Sequence, residues 1–280
     1  YLKQRLEKLI IQKKTDEEIL VADGESTDGT KEYLEQLKRA DKIDGFISEP
    51  DYCESHALNK LFLMAAGTLI KIINDDDVYY FPAIGACKDF MLAHPDIDIL
   101  GTEGGSFKHN TPSTLVIHQV AGYIDHYLRW QKDHIPFEFA GVGIMFRRSS
   151  LPLLGFWDLS FRSADTEYTF RVTAGKAQIA WYTGSSFVYI KNAHSTVWTH
   201  RKKVADEITR LRKFYLNENP ESQVLQKLKV FARKLLSGSL FRKKEVMPDF
   251  PADWPELEKQ AESWLLERSG TEHPEFLWNK

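Results

Sequence analysis

Short apolar segments alternate with helical segments through the first hundred residues, and this alternation constrains the fold more than any other feature of the sequence. Apolar runs typical of buried strands occupy residues 18–22, 45–48, 69–73 and 97–101. Helical patterns fill the segments between them, up to about residue 40, at 55–66 and at 82–94. Strands and helices that alternate at this spacing predict an α/β fold, with a mostly parallel sheet and helices on both faces.

Two acidic loops directly follow predicted strands, at residues 23–28 and 75–77. Ligands of such sheets bind beyond the carboxyl ends of the strands, so both loops are placed where a ligand would lie. The adjacent carboxylates of Asp75, Asp76 and Asp77 repel one another unless a cation or hydrogen bonds compensate them. Mg²⁺ and Mn²⁺ bind one or two carboxylates together with substrate phosphate oxygens. The alternative is a solvated acidic turn, and these residues alone do not separate the two interpretations.

Three further candidate residues each have a structural alternative. Asp23 stands at the end of a predicted strand, and helix capping explains it less well than the other residues of its loop. Asp165 begins a predicted helix, so it is either a helix cap or a general base that accepts a proton from an acceptor hydroxyl. His194 follows an apolar strand and opens a polar loop, although a lone histidine is more often structural than a ligand.

The composition argues against several classes of protein. The net charge of −3 gives no electrostatic indication of nucleic-acid binding. The two cysteines do not suggest a disulfide scaffold, and we interpret them as reduced thiols of a cytoplasmic protein. No stretch reaches the roughly 18 apolar residues that a membrane-spanning helix requires, and the chain does not begin with a secretory signal pattern.

Several motifs follow one another in a characteristic order. They are Val21-Ala22-Asp23-Gly24-Glu25-Ser26-Thr27-Asp28-Gly29-Thr30, Ser48-Glu49-Pro50-Asp51, Ala57-Leu58-Asn59-Lys60, Ala65-Ala66-Gly67, Ile73-Asn74-Asp75-Asp76-Asp77, Phe146-Arg147-Arg148, Gly155-Phe156-Trp157-Asp158, Asp165, Arg171 and His194. The ordered set resembles glycosyltransferase family 2, the inverting enzymes of the GT-A fold, and in particular its branch with a Ser-Glu-Pro-Asp segment. The resemblance covers residues 1–199.

The resemblance implies a role for each matching residue. Asp165 would be the catalytic base, and Asp76 would be a ligand of a divalent cation, Mn²⁺ or Mg²⁺. His194 would approach the diphosphate or this cation. The nucleotide would be contacted by Asp23, Glu25, Asp51, Asn59, Lys60, Asn74 and Asp75.

The chain departs from the family pattern at three points. Cys53 and Leu61 stand where glycine is usual. The opening strand of the fold, which lies in the middle of the family's sheet, is missing before Tyr1, so we expect the natural protein to extend N-terminally.

The implied function is the transfer of a sugar, with inversion, from a UDP-linked nucleotide-sugar donor to an acceptor hydroxyl. We expect a hexosyltransferase of cell-surface polysaccharide or glycoconjugate synthesis, whose acceptor is a saccharide or a lipid-linked saccharide. One alternative is a non-catalytic nucleotide-sugar-binding module of a larger protein. Another is a metal-dependent phosphoryl-transfer enzyme that uses the same carboxylates.

We expect a GT-A catalytic domain at residues 1–200 and a C-terminal helical extension at 201–280. Within the extension, segment 226–244 is basic and has an apolar stripe at helical spacing. It is either a membrane-surface helix, which would bring the enzyme to the inner face of the membrane, or a helix packed on the catalytic domain. Of the two we favour the packed helix.

Overall fold

A computed structural model describes residues 1–111, 114–120, 122–175, 177–190, 195–217, 250–271 and 273–278 of the 280-residue chain. The helices are α1 (Leu2–Gln12), α2 (Thr30–Arg39), α3 (Glu54–Met64), α4 (Phe81–Ala93), α5 (Tyr123–Asp133), α6 (Leu151–Leu154), α7 (Ala164–Ala174), α8 (Thr196–Thr199), α9 (Arg201–Leu216) and α10 (Phe250–Thr271). The strands are β1 (Leu20–Asp23), β2 (Gly45–Ser48), β3 (Leu69–Lys71), β4 (Val78–Tyr79), β5 (Ile99–Thr111), β6 (Thr114–Gln119), β7 (Met145–Arg147), β8 (Ile179–Tyr189) and β9 (Phe276–Leu277). Short 3₁₀ turns cover Gly141–Gly143 and Arg148–Ser150.

Two of the sequence-based expectations concern residues outside this description. His194 and the basic segment 226–244 both lie outside the described residues. Their expected roles therefore stay predictions. Within the part of the chain that the structure describes, no helix combines the length and the apolar character that a membrane span needs.

The strands form two sheets. β1 and β2 pair in parallel, with Asp23 opposite Ser48 at their carboxyl ends. The larger sheet has the order β3-β7-β5-β8-β4, with β6 paired to β5 and β9 paired to β8. Within it β5 and β8 run parallel, while the other pairs are antiparallel. The predicted α/β class with flanking helices is confirmed, but the larger sheet is mixed rather than mostly parallel.

A long hairpin contributes most of the antiparallel pairing. Residues 104–112 are polar and rich in glycine, which is typical of a loop, yet β5 continues to Thr111 and pairs with β6. The glycines have a packing reason, because a Cβ atom at Gly104 would lie 2.3 Å from the ring of Phe187. Glycine therefore marks the close approach of an aromatic side chain at this position and not a turn.

Two apolar clusters position the elements that surround the site. α1 packs on the small sheet, where Leu6 and Val21 are buried in one cluster. On the larger sheet, Trp157, Tyr168 and Trp181 belong to a mainly aromatic cluster. Because Ala164 of α7 is part of that second cluster, the first turn of α7 is anchored directly on the core.

Elements beyond residue 200 pack on the same sheet. α10 covers β4 and β8, and its Trp254 joins the buried cluster that contains Val188. Glu258 of α10 forms an ion pair at 3.3 Å with Arg5 of α1, and both side chains are largely buried. β9 adds a short antiparallel strand to the larger sheet, beside β8. The C-terminal segment thus includes parts of the main core, and the expected boundary at residue 200 stays a prediction.

Candidate functional site

A cleft of about 1990 Å³ lies beyond the carboxyl ends of β1 and β3 and extends between these two strands. Its lining includes five of the predicted site residues, namely Asp23, Asn74, Asp75, Asp76 and Asp165. The cleft exceeds the roughly 300–1,000 Å³ of a typical small-molecule pocket, since it also includes apolar space between the two strands. Residues that are up to 142 positions apart in the sequence are brought together here by the fold.

Asp23 is the last residue of β1, and hydrogen bonds orient its carboxylate. It is buried, and its carboxylate accepts hydrogen bonds from the backbone N–H of Ser26 at 3.2 Å and from the hydroxyl of Ser48 at 2.7 Å. The parallel pairing of β1 with β2 supplies the second of these donors. Glu25, two residues further on, is exposed and has a positive φ of 66°. The structure therefore separates an oriented carboxylate from an exposed one within the same loop.

Lys60 links two of the predicted motifs. Its ammonium group pairs with Asp51 at 2.6 Å and with Glu49 at 3.1 Å. Burial opposes the charge of Lys60, but its hydrogen bonds to the two carboxylates outweigh burial and raise its pKa. Asp51 lies next to Gly24, because a Cβ atom placed on Gly24 would be 3.5 Å from the carboxylate of Asp51. Asp51 thus contacts the loop at residues 23–28, and neither it nor Lys60 belongs to the cleft lining. The nucleotide contacts expected of both residues stay predictions.

Asn59 connects α3 to the loop that precedes α7. Its side-chain amide donates to the carbonyl of Trp157 at 2.9 Å, and its side-chain oxygen accepts from the N–H of Trp157 at 2.9 Å. Both polar ends of the side chain are therefore engaged by protein. This structural link was not expected from the sequence, and the nucleotide contact expected of Asn59 stays a prediction.

The acidic turn after β3 presents its three carboxylates in three different environments. Asp75 is exposed, Asp76 is partly buried and Asp77 is fully buried. The carboxylate of Asp77 accepts a hydrogen bond from the N–H of Ile190 at 3.0 Å, which directs it into the protein. Burial, reinforced by the charge of Asp76, raises the pKa of Asp77 well above its usual value. The cleft therefore receives Asp75 and Asp76 but not Asp77.

Glu54 is a site residue that the sequence pattern did not indicate. It lies in the first turn of α3, where an acidic residue is usually explained by the helix dipole. Its carboxyl group is accessible from the cleft and hydrogen-bonds to the side chain of Asn74. Partial desolvation by the cleft walls, followed by the charges of Asp76 and Asp165, raises its pKa to about 7. The only available signal in the sequence was an acidic residue directly after Cys53.

Asp165 faces the same cleft from the first turn of α7. Its side chain is accessible, and one carboxylate oxygen accepts a hydrogen bond from the N–H of Thr166 at 2.7 Å. Desolvation by the surrounding walls, together with the charge of Glu138, raises its pKa. The 3₁₀ turn Gly141–Gly143 packs beside it, because a Cβ atom at Gly141 would lie 3.3 Å from the Cβ of Asp165. A carboxylate of raised pKa in an open cleft is suited to accept a proton.

Comparison with known proteins shows to which family the chain belongs. The sequence pattern of glycosyl transferase family 2 matches residues 1–153, which is more than half of the chain. The chain belongs to this family. A search of curated protein sequences finds no match. The family match ends before Asp165, so the role expected of Asp165 depends on the cleft geometry.

Solved structures place this family 2 member in the GT-A fold. S. aureus TarS 1–349 in complex with UDP-GlcNAc superposes with a TM-score of 0.51 at 13% identity, over 80% of this chain and 74% of that chain. The mannosyltransferase PcManGT from Pyrobaculum calidifontis, in complex with GDP-Man and Mn²⁺, superposes with a TM-score of 0.50 at 18% identity, over 96% of this chain and 80% of that chain. At such identities the similarity establishes the fold alone.

The side chains of this family 2 member suit a divalent cation completed by substrate. Among the described residues, no group of three or more His, Cys, Asp or Glu side chains has the arrangement of a complete metal site. Asp76, Asp75 and Glu54 nevertheless supply oxygen donors, and a bound cation would offset the negative charges that, after desolvation, raise the pKa of Glu54. Mg²⁺ and Mn²⁺ commonly take one or two protein carboxylates and fill the remaining positions with phosphate oxygens and water.

Proposed function

We propose that the chain is a metal-dependent, inverting glycosyltransferase that transfers a sugar from a UDP-linked donor to an acceptor hydroxyl. The observation that carries this proposal is the single cleft lined by Asp23, Asp76 and Asp165. Membership of family 2 and a fold shared with proteins that hold UDP-GlcNAc, or GDP-Man with Mn²⁺, support it. We assign the reaction to cell-surface polysaccharide or glycoconjugate synthesis, with a saccharide or lipid-linked saccharide as the acceptor.

We also propose that the chain belongs to the family branch with the Ser-Glu-Pro-Asp segment. The ion pairs of Lys60 with Glu49 and Asp51 support this assignment, because they join that segment to the Ala57–Lys60 motif in space. Two motifs that are separate in the sequence are thus joined beside the loop at residues 23–28.

The residues of the cleft divide the reaction into a donor side and an acceptor side. On the donor side, Asp23 accepts a hydrogen bond from the nucleobase or ribose, while Asp76 and Asp75 hold the cation. When bound there, Mn²⁺ or Mg²⁺ supplies positive charge beside the diphosphate leaving group. On the acceptor side, Asp165 accepts the proton of the attacking hydroxyl. The new bond to the anomeric carbon forms as the bond to the diphosphate breaks on the opposite face, which inverts the anomeric configuration.

The raised pKa of Asp165 has a direct consequence for this role. A carboxylate of higher pKa binds a proton more strongly, which favours proton transfer from an acceptor hydroxyl. General-base assistance of this kind contributes about 10²–10⁴-fold to a rate. We therefore expect kcat to fall as the pH decreases through the raised pKa of Asp165.

The base assignment is tested with Asp165→Asn. We expect a loss of about 10²–10⁴-fold in transfer, while the affinity for UDP in Mn²⁺ stays within about twofold. Asp89→Asn, an exposed change on α4, is the matched control and should keep full activity. Normal turnover by Asp165→Asn would refute the assignment. Nucleotide binding without turnover of any nucleotide sugar by the unmodified chain would instead favour a non-catalytic binding module.

The metal assignment is tested with Asp76→Ala. We expect this variant to bind UDP equally weakly with Mn²⁺ and with EDTA, whereas the unmodified chain should bind more tightly with Mn²⁺. A thermal-shift series with UDP, GDP, dTDP and CMP also identifies the nucleobase of the donor. If EDTA left the affinity of the unmodified chain unchanged, the proposed metal dependence would be wrong.

A further inference from the structure

Glu207, a buried residue of α9, binds the polypeptide just before α7. One oxygen of its carboxylate accepts hydrogen bonds from the N–H groups of Arg162 at 2.8 Å and Ser163 at 3.0 Å. The same oxygen accepts from the hydroxyl of Ser163 at 3.1 Å. Only 1% of Glu207 is exposed, so these bonds form in a medium of low polarity where a charge-assisted hydrogen bond is strong.

This contact replaces the usual cap of α7. Ser163 occupies the N-cap position, where a serine side chain normally accepts a hydrogen bond from its own helix. Here its side chain makes no such bond, and its hydroxyl donates to Glu207 instead. The start of α7 is therefore fixed by a carboxylate that is 44 residues away in the sequence. Asp165 follows Ser163 by two positions, so the contact also fixes the backbone from which the Asp165 side chain extends.

Two further contacts join α9 to the surroundings of Asp165. The rings of Tyr215 and Phe170 stack at 5.5 Å with an angle of 8° between their planes. Arg212 forms an ion pair with Glu138, whose charge contributes to the raised pKa of Asp165. α9 thus contacts the start and the interior of α7, and it also contacts a residue whose charge acts on the Asp165 carboxylate.

We propose that Glu207 is a positioning residue for Asp165, through which α9 sets the distance between the base and the acceptor hydroxyl. The inference rests on the proposed function of Asp165. Glu207 does not line the cleft, so its proposed action is to fix the first turn of α7. A displacement of about 1 Å in a reacting group can cost about 10²-fold in rate.

The test compares Glu207→Ala with Glu207→Gln, which keeps one acceptor oxygen. We expect Glu207→Ala to lower kcat by about 10- to 100-fold, with the donor KM and the UDP affinity within about twofold of the unmodified chain. Glu207→Gln should recover part of this loss. Asp206→Ala, an exposed change at the neighbouring position of α9, is the control and should leave kcat unchanged. A merely structural role would instead reduce nucleotide-binding stoichiometry and activity together, and this result would overturn the proposal.

Hydrogen exchange provides a readout that does not depend on activity. The amides of Arg162 and Ser163 should exchange faster in Glu207→Ala than in the unmodified chain, because they lose their acceptor. Unchanged exchange at both amides would refute the positioning contact even if the chain transferred no sugar. An inactive Asp165→Asn combined with a fully active Glu207→Ala would refute the inference while the proposed function stands. An active Asp165→Asn would refute the proposed function and, with it, the positioning of a catalytic base.

Discussion

Tyr79→Phe is the smallest change that tests how the acidic turn is held. The hydroxyl of Tyr79 accepts a hydrogen bond from the backbone N–H of Asn74 at 2.8 Å, so it closes the turn that carries Asp76. Phenylalanine removes this oxygen and keeps the buried ring. The side chains of Arg5 and Lys71, at 5.8 Å and 5.6 Å from the ring centroid, keep their contacts as well. The substitution therefore deletes one hydrogen bond with little loss of packing.

The expected magnitude follows from the exposure of the group that loses its partner. A buried N–H left without an acceptor costs about 1–3 kcal/mol. Asn74 is only partly buried, so water can replace the lost partner and the cost lies near 1 kcal/mol. For a chain of this size, that loss lowers Tm by about 2–4 °C. If the turn has to be re-formed when nucleotide and metal bind, the same free energy weakens binding by about fivefold.

Calorimetric titration with UDP in excess Mn²⁺ measures the binding term, and thermal unfolding without ligand measures the stability term. Tyr80→Phe is the matched control, since it removes the same atom from the adjacent residue, whose backbone N–H donates to Ser186 at 2.9 Å. We expect Tyr80→Phe to bind UDP within about twofold of the unmodified chain. If Tyr79→Phe had the Tm and the affinity of the unmodified chain, the turn would be held by other contacts and the reasoning would be wrong.

Three further predictions follow from the described contacts. UDP affinity in Mn²⁺ should fall as the pH decreases through about 7, because Glu54 becomes protonated, and calorimetry on Glu54→Gln should show a flatter profile. Asp77→Asn should raise Tm in mildly alkaline buffer but not in acid. Because the folded-state pKa of Asp77 is raised, its protonated form stabilises the fold at low pH, and this contribution is lost as the pH rises through that pKa. Asn59→Ala should destabilise the chain by about 1–3 kcal/mol, as measured by urea unfolding, because it leaves both backbone groups of Trp157 without partners.

Local signals in the sequence were sufficient to predict the first half of the fold. The apolar runs at 18–22, 45–48 and 69–73 overlap β1, β2 and β3, since short apolar segments between helical patterns are typical of strands. The acidic loops were correctly placed at the ends of β1 and β3 for the same reason. Asp165 was correctly placed at the start of a helix, because acidic residues in a first turn are a local preference.

Long-range pairing could not be predicted in this way. The partner of β5 is β8, about 80 residues later, and the hairpin of β5 with β6 is concealed by glycines that accommodate aromatic rings. β9 joins the sheet from residue 276 onward, although the C-terminal segment has the composition of a helical extension. Glu54 was missed for a related reason, because its raised pKa arises from desolvation by the cleft walls and from the charges of Asp76 and Asp165, which are distant in the sequence. Each of these features depends on neighbours that only the folded chain supplies.

The acidic turn shows how the fold gives different chemistry to identical adjacent residues. In the sequence, Asp75, Asp76 and Asp77 are equivalent and would repel one another strongly. In the fold, Asp77 is buried against the end of β8, and its raised pKa favours the neutral form, which reduces the repulsion on Asp76. Asp75 is exposed, where water screens its charge. Asp76 is therefore the partly buried carboxylate of the turn that lines the cleft, and a carboxylate in such a place is suited to a cation beside a diphosphate.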